Sequence, residues 1–271
     1  MAYKDILVVA DTAKSAASRY DVAAALARAH GANLTALFVK TPPWLPPGEI
    51  YVPPHVVQTW QENVMREQEE TALKILDAAQ KRNRLDFQWI SVKGDPVGTT
   101  LLYSRYADLA VASQSWGEPQ SNVDKLDESL LMASGRPVVI VPSVGRFETV
   151  STNVLIAWNE TRESTRAVHD AIPTLKRAKT VTAFEVNPEE GGIRPKGLAA
   201  HLQLHDISVK PTTTVAEDID VGDALLSRAA DLGADLLVMG GYGHSRLREY
   251  TFGGVTRHIL EHMTLPTLMS H

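Results

Sequence analysis

The sequence predicts an α/β protein of two tandem domains, each with a parallel sheet flanked by helices. Two observations carry this prediction: short apolar runs alternate with amphipathic helical stretches, and the whole pattern occurs twice. Such alternation is typical of βαβ units, in which helices cover the faces of a parallel sheet. The shared order β-α-β-α-β-α-β-α-β favours duplication. We place the first domain at residues 1–145 and the second at residues 151–271, with a polar stretch around Gly145 between them.

The two halves begin alike. An apolar run at residues 6–11 is followed by a small polar turn and a helical pattern, and residues 154–159 repeat that plan before a helical stretch from about 163 to 177. A second apolar run comes next in each half, at residues 33–39 and 180–186. Matching strands and helices in the same order indicate that both halves share one fold.

The later parts of the halves match more closely. Residues 96–102 correspond to 220–226, and residues 107–113 correspond to 234–240. Each half then closes with a helix and an apolar strand led by proline, at residues 137–141 and 266–269. An exposed apolar edge strand invites pairing with another strand.

Composition excludes several classes of function. A net charge of -5 argues against nucleic-acid binding, which needs a basic surface to neutralise phosphates. No apolar run approaches the roughly 20 residues that span a bilayer, and the first residues lack the long apolar segment of a secretory signal. A cytoplasmic location without membrane contact is therefore the default expectation. The absence of cysteine excludes disulfides, thiolate metal sites and cysteine nucleophiles.

A glycine-rich segment follows the fourth strand of the second half. It contains Gly240, Gly243 and the pair Gly253-Gly254, which opens the last helix. Ligands of open parallel sheets bind beyond the carboxyl ends of the strands, and a helix N-terminus favours anions. Glycines there let the backbone approach a phosphate without a Cβ atom in the way. The alternative is that these glycines only permit turns.

The segment resembles the Gly-x-x-Gly, nine residues, Gly-Ser/Thr motif of the universal stress protein family, with Gly240, Gly243 and Gly253 at its three glycine positions. The resemblance extends over the whole chain as two repeats, like the tandem members of that family. It implies two Rossmann-like domains with five-stranded parallel sheets, which pair through their last strands as an intrachain pseudo-dimer and could dimerise again as a homodimer. It also implies binding of ATP or AMP, with Mg²⁺ left open. The ligand contacts expected from the resemblance are Trp158, Asn159, Val186, Met239, Gly240, Gly243, His244, Ser245, Gly253, Gly254, Val255 and Thr256.

Two positions of the second half depart from the family pattern. Gly254 stands where the family has Ser or Thr, and Asn159 stands where it has Asp. The first change removes a hydroxyl and the second removes a charge, although Asn159 still accepts and donates hydrogen bonds. Thr256 and Ser245 could supply substitute hydroxyls. A site held by backbone groups survives these changes, with weaker or altered nucleotide binding.

The first half shows the reverse pattern. Asp11 is present after the first strand, but residues 113–119 lack the glycine spacing, and Glu118 and Asp124 would repel phosphate. We therefore expect this half to be a degenerate copy that does not bind ATP. Asp11 then serves as a turn or helix-start residue.

Other motifs carry weaker signals for chemistry. Residues 258–262 read His-Ile-Leu-Glu-His, the inverted zinc-protease string, but no third ligand is evident nearby. His201 and His205 have the same spacing, and we expect both pairs to be solvated helix residues without a metal. No nucleophile elbow and no Walker loop occurs, so we expect no enzymatic turnover. Arg246, Arg248 and Arg257 flank the glycines and either assist a phosphate or are surface charges.

The first half also carries a proline-rich loop at residues 41–54 and a long helical stretch from about 56 to 81. Both are either a tolerated surface variation or a lid or partner surface built by Trp44, Tyr51 and Trp60. The leading hypothesis is a stress-response protein that binds an adenine nucleotide in its C-terminal domain as a sensor. The alternatives are an interaction scaffold that has lost nucleotide binding and a slow nucleotidase.

Overall fold

The computed structural model describes residues 2–45, 52–115, 125–188, 191, 193–216, 219–243 and 254–271. Within these ranges each half contains five strands and four helices in alternation. The elements of the first half are β1 Asp5–Ala10, α1 Ala16–His30, β2 Asn33–Lys40, α2 Pro54–Asn83, β3 Gln88–Lys93, α3 Pro96–Ser104, β4 Leu109–Ser113, α4 Leu126–Ala133 and β5 Val138–Val141. The elements of the second half are β6 Asn153–Ala157, α5 Arg162–Leu175, β7 Thr180–Val186, α6 Arg194–Gln203, β8 Lys210–Thr214, α7 Val221–Asp231, β9 Leu236–Gly240, α8 Gly254–His262 and β10 Thr267–Ser270.

The strands form a single ten-stranded sheet in the order β3-β2-β1-β4-β5-β10-β9-β6-β7-β8. Neighbouring strands within each half are parallel, as the alternating sequence pattern predicts. The order from β3 to β5 is repeated from β8 to β10. The structure therefore confirms an α/β fold with a parallel-dominated sheet and shows that both halves have the same topology.

The last strands of the two halves pair with each other. β5 and β10 are antiparallel, with Val138 opposite Met269 and Ile140 opposite Thr267. This seam covers two apolar edges that would otherwise be exposed, since an unpaired strand presents its backbone groups to solvent. The intrachain pairing implied by the family resemblance is thus present in the structure.

Helices cover both faces of the sheet, and the core residues continue across the seam. One core cluster contains Val8 and Val139 from the first half together with Ile156 from the second. On the opposite face, Ile140 and Met269 belong to one cluster. Alternate residues of the central strands point to opposite faces, so strands buried on both sides must be apolar throughout. This explains why β1, β4, β5, β9 and β10 read as nearly continuous apolar runs.

The long helix of the first half is present as α2, and only part of it packs on the domain. Its buried side chains lie in the later turns, from Met65 to Ala79. Near its start Trp60 is 41% exposed, and Trp44 in the preceding loop is 76% exposed. The side chain of Gln61 donates to the carbonyl of Pro43 at 3.1 Å and ties the loop to the helix. Tyr51 lies outside the described residues, and a lid or partner role for this region stays a prediction.

No helix in the described part of the chain combines the length and apolarity needed to cross a membrane.

Candidate functional site

A pocket opens at the carboxyl ends of β6, β7 and β9 in the second half. β6 lies between β7 and β9, and the chain crosses from one side of β6 to the other. Such a switch in strand order leaves a crevice between the strand ends, where open α/β sheets bind their ligands. The helices α5, α7 and α8 supply the remaining walls.

The structure brings most of the sequence-predicted site residues together at this pocket. Eight of the twelve line it: Trp158, Asn159, Val186, Met239, Gly240, Gly243, Val255 and Thr256. Gly254 begins α8 beside the pocket. His244, Ser245 and Gly253 lie outside the described residues.

Apolar side chains line part of the pocket. Among them Phe184, Leu225 and Met239 are buried, and Val186 and Val221 are half-buried. Pockets that combine apolar walls with a few polar groups are typical of small-molecule sites. Sequence reasoning missed Phe184, Val221 and Leu225. A periodicity signal was present, because Phe184 shares a strand face with Val186, and Val221 and Leu225 are one helical turn apart.

The polar rim begins at Asn159, directly after β6. Its Oδ1 accepts the hydroxyl of Thr161 at 2.8 Å and the backbone N–H of Thr161 at 3.4 Å. Thr161 in turn caps α5, since its Oγ1 accepts the backbone N–H of Ser164 at 3.3 Å. The amide oxygen is therefore used within the turn, and the exposed side chain keeps its N–H donors for an acceptor in the pocket.

Gly240 is required by packing, independently of any ligand, and Gly241 lies against a side chain of the first half. A Cβ atom at Gly240 would lie 2.5 Å from the backbone nitrogen of Ser164 and 2.6 Å from the carbonyl carbon of Glu163. The end of β9 thus touches the first turn of α5 at a distance that only glycine allows. At Gly241 a Cβ would lie 2.6 Å from Cδ2 of Leu131, a residue of α4 in the first half. The two halves therefore meet at the start of the glycine segment.

Gly243 and Gly254 have more room. A Cβ at Gly243 would lie 3.0 Å from Oε2 of Glu163, the end of a flexible side chain. At Gly254 the closest described atom, Oδ2 of Asp220, would be 4.0 Å away. Among the described residues, the space at Gly254 accommodates the Ser or Thr that the family has at this position.

Thr256 shapes the turn after β9. Its Oγ1 accepts the backbone N–H of Tyr242 at 3.1 Å, and Tyr242 adopts a left-handed conformation with φ of 53°. Few residues other than glycine and asparagine adopt that conformation without strain, so the hydrogen bond helps to hold it. The hydroxyl expected to replace that of a Ser or Thr at position 254 thus already accepts a hydrogen bond from the loop.

The charge at the described pocket is negative. Glu163 is its single charged lining residue among those the structure describes, and the residue is 9% exposed. Arg257, one of the three arginines considered for phosphate contact, pairs with Glu261 at 2.7 Å one turn along α8. Arg246 and Arg248 lie outside the described residues.

The equivalent place in the first half is occupied by an arginine. Arg19 of α1 is fully buried, its Nη2 lies 2.8 Å from Oδ1 of Asp11, and its Nη1 donates to the hydroxyl of Ser113. Asp11 and Ser113 correspond in the repeat to Asn159 and Gly240. A guanidinium therefore bridges the ends of β1 and β4. The counterparts of these strands in the second half, β6 and β9, border the pocket. Sequence reasoning missed Arg19, because nothing in a helical pattern tells a buried arginine from a solvated one.

Asp11 serves the turn as predicted and also neutralises Arg19. Its Oδ1 accepts the backbone N–H of Ala13 at 2.9 Å. Burial on its own raises the pKa of the Asp11 carboxyl, but the charge and donors of Arg19 outweigh burial and hold that pKa below its ordinary value.

The two histidine pairs singled out in the sequence make hydrogen bonds or ring contacts within the fold. His258 Nε2 lies 2.8 Å from Oδ1 of Asp223, and His262 Nδ1 lies 3.0 Å from the carbonyl oxygen of His258. His201 packs its ring between those of His169 and His205, with centroid distances of 5.3 and 5.1 Å. Within the described ranges, no group of three histidine or acidic side chains is arranged to hold a metal ion.

Fold and pocket together define the class: a tandem α/β protein with a crevice at the strand ends of its second half. A family model described as the universal stress protein family matches residues 151–271. The second half of the chain is thus similar to the universal stress protein family, as the glycine motif indicated. A search of curated proteins found no match.

Solved structures extend the similarity of fold to the whole chain. A universal stress protein from Archaeoglobus fulgidus DSM 4304 superposes with a TM-score of 0.73 at 17% identity, covering 98% of this chain and 97% of the other. A functionally unknown protein from Pseudomonas aeruginosa PAO1 gives a TM-score of 0.57 at 14% identity, covering 99% and 92%. A putative universal stress protein from Pseudomonas aeruginosa UCBPP-PA14 gives 0.56 at 15% identity, covering 99% and 93%. Both halves of this chain therefore have counterparts in known structures.

Proposed function

We propose that this chain is a cytoplasmic stress-response protein that binds an adenine nucleotide, ATP or AMP, in the pocket of its second half and acts as a sensor without significant turnover. The observation that carries the proposal is the convergence of eight predicted contact residues on one pocket. These residues come from three strand ends and one helix start, so their meeting is not a consequence of sequence proximity.

The shape and polarity of the pocket support an adenine ligand. The apolar side chains in the lining suit the faces of a planar ring, and the amide donors of Asn159 suit an acceptor at its edge. The start of α8 opens beside the pocket, and the free N–H groups of a helix N-terminus favour an anion. A nucleotide combines these features.

The role as a sensor rests on the absence of catalytic motifs in the sequence. Phosphoryl transfer enzymes position the phosphates with a lysine and a metal, and the sequence has no Walker loop. Binding without turnover leaves a change of shape or of partner as the output. Incubation with ATP and Mg²⁺ for hours, followed by separation of products, tests this part; turnover above that of a denatured control would contradict it.

Ligand release is the direct test of binding. Denaturing the purified protein and analysing the released small molecules should give about one adenine nucleotide per chain, because one half carries the pocket and the other carries Arg19. Protein that carries no nucleotide, and whose unfolding temperature does not move on addition of ATP or AMP, would refute the proposal.

A matched pair of variants links the ligand to this pocket. Val186 ends β7 at the pocket wall, and Val39 occupies the corresponding place near the end of β2 in the first half. Val186→Trp should fill the pocket and abolish the nucleotide-dependent thermal shift, whereas Val39→Trp should retain it. Gly243→Val should weaken the shift by crowding the loop beside Glu163. A shift that survives in Val186→Trp would place the ligand elsewhere.

The second candidate is an interaction scaffold. The exposed rings of Trp44 and Trp60 at the start of α2 favour it, because exposed aromatic side chains are enriched at protein interfaces. Loss of partner capture in a Trp44→Ser and Trp60→Ser double variant, combined with no bound nucleotide, would support this candidate over the first.

A further inference from the structure

Gln114 follows β4 in the first half, and its side chain reaches across the seam into the second half. Its Nε2 donates to the carbonyl oxygen of Leu260 at 2.6 Å and to that of Glu261 at 3.4 Å, both in the last turn of α8. Its Oε1 accepts the backbone N–H of Ser143 at 3.0 Å, just after β5. One half-buried side chain thus joins the end of β4, the segment that leads out of the first half, and the last helix of the second half.

The orientation of the Gln114 amide follows from the chemistry of its partners. The carbonyl oxygens of α8 can only accept and the N–H of Ser143 can only donate, so the two ends of the amide are not interchangeable here. The last four carbonyls of a helix have no partner within that helix. Leu260 and Glu261 contribute two of these carbonyls at the end of α8. The first half therefore caps the carboxyl end of a helix that belongs to the second half.

The opposite end of α8 forms part of the pocket wall. Val255 and Thr256 in its first turn line the pocket, and Oγ1 of Thr256 accepts the backbone N–H of Tyr242 at 3.1 Å. Between the two ends, His258 Nε2 lies 2.8 Å from Oδ1 of Asp223 in α7. The nine residues of α8 span about 13 Å, so the pocket wall and the capped end belong to one short rigid element. A shift of the capped end therefore carries the pocket wall with it.

The corresponding place in the second half has no such side chain. Because Ser113 corresponds in the repeat to Gly240, Gln114 corresponds to Gly241. A Cβ atom at Gly241 would lie 2.6 Å from Cδ2 of Leu131, so α4 of the first half packs directly on this glycine. Glycine has no side chain with which to cap α4. The contact thus runs in one direction, from the first half to the helix that borders the pocket.

We propose that Gln114 is a positioning residue for the ligand pocket, through which the first half holds the pocket wall carried by α8. Gln114 is not among the residues that line the pocket, so it acts through α8 rather than by contact with a ligand. Its effect on affinity rests on the proposed nucleotide-binding function, whereas its hold on α8 concerns the free protein as well. The first half thus takes part in ligand binding although the pocket lies in the second half.

Two variants of Gln114 remove the donor to α8 in different ways. Gln114→Glu keeps the length and the acceptor for Ser143, but it places a carboxylate against the carbonyl end of a helix, where the dipole disfavours negative charge. Gln114→Met has a similar length and no charge, and it provides the measurement if the added charge prevents folding. Isothermal titration well below the unfolding temperature should show an AMP affinity about fivefold lower in each variant. Without ligand, the amides of residues 258–263 should exchange their hydrogens about fivefold faster than in the wild type.

Ser143→Ala is the matched control. It removes the hydroxyl that lies 3.3 Å from Oε1 of Gln114, and it keeps both the backbone N–H of residue 143 and the donors from Gln114 to α8. The AMP affinity and the hydrogen exchange of α8 should therefore stay within about twofold of the wild type. If this variant loses as much affinity as those at Gln114, the effect does not depend on the bond to α8 and the proposal falls.

The two measurements separate this proposal from the proposed function. Unchanged hydrogen exchange of α8 in both Gln114 variants would overturn the positioning role, whether or not a nucleotide binds. Faster exchange of α8 with an unchanged AMP affinity would show that the effect stops short of the pocket, and would also overturn the proposal. Wild-type protein that binds neither AMP nor ATP would refute the proposed function, and the exchange of α8 would then decide alone whether Gln114 holds this helix.

Discussion

In each half the first strand ends in a turn held by the same kind of hydrogen bond. The two turns differ in the residue that lies next to them. In the first half Oδ1 of Asp11 accepts the N–H of Ala13, and in the second half Oδ1 of Asn159 accepts the N–H of Thr161. The first half then directs a buried arginine into the space between the strand ends. The second half has Ala167 at the corresponding helix position, where it is fully buried in the core.

The difference shows how one fold supports either an internal ion pair or a pocket. A buried guanidinium needs a carboxylate and acceptors, and the first half supplies these from Asp11 and Ser113. The second half has glycine in place of that serine and an amide in place of that carboxylate. Removal of the charged partners leaves the crevice open to a ligand.

Acid should weaken the packing between the two halves through His30. His30 of α1 contacts Thr174 of α5 at 3.3 Å across the junction of the halves, and burial, helped by the charge of Arg177, lowers its pKa to about 4. An unfolded histidine titrates near pH 6.5, so between these values the unfolded chain binds more protons. The stability that neutral His30 contributes is complete above pH 6.5 and is lost as the pH falls towards 4, about 3 kcal/mol in total.

Denaturant unfolding between pH 7.5 and 4 measures this loss. In His30→Gln the stability at neutral pH is lower and the slope between pH 6.5 and 4 is smaller than in the wild type. Equal slopes in the two proteins would rule out His30 as the source of the acid sensitivity.

Asp11→Ala should destabilise the first half by about 2 kcal/mol. Loss of the partner of a buried charge costs about 3–5 kcal/mol, and the value here is smaller because the Asp11 side chain is 41% exposed. Asn159→Ala removes the equivalent turn acceptor without leaving a charge unpaired, and should cost less than about 1 kcal/mol. Urea titration of both variants measures the two losses of unfolding free energy. Similar losses would show that the burial of Arg19 does not require the charge of Asp11.

Ser113 ends β4 and Gly240 ends β9. Exchanging the residue types at these two positions should lower the unfolding free energy by unequal amounts. Gly240→Ser places a side chain against the backbone of α5 and should cost about 2 kcal/mol even without ligand. Ser113→Gly removes the hydroxyl that accepts from Arg19 and should cost about 1 kcal/mol. Thermal unfolding of both variants measures the losses. A stable Gly240→Ser that has lost only ligand binding would instead assign this glycine to the ligand.

Gly254→Ser should have the smallest effect on stability. No described atom lies closer than 4.0 Å to a Cβ at this position, so we expect the change in unfolding free energy to be within about 0.5 kcal/mol. The added hydroxyl should raise AMP affinity by about threefold if it reaches a phosphate, consistent with one neutral hydrogen bond. Titration of AMP into the variant and the wild type tests this, and an unchanged affinity would show that the hydroxyl is not used.

The general architecture could be predicted because it depends on local patterns. The alternation of apolar runs and helices gave the repeated strand order, and the proline-led last strands of both halves presented the edges that now pair. The strand-end position of Asn159, Val186 and Gly240 follows from topology alone, which explains why these residues meet at the pocket.

The charged groups could not be predicted from local patterns. Arg19 looks like any helical arginine, and its burial depends on Asp11 and Ser113, which are distant in sequence. Glu163 resembles an ordinary acidic residue in a first helical turn, and its contact with the glycine loop arises only when β9 packs against α5. Such contacts depend on tertiary packing, to which helix periodicity is insensitive.

The seam between β5 and β10 has a consequence for how the pocket responds to protein concentration. Two separate chains that pair by their last strands come apart on dilution, whereas strands on one chain face each other at a high effective concentration. Leu131 of the first half packs against Gly241 at the base of the ligand loop. This contact between the halves is therefore independent of the expression level of the protein.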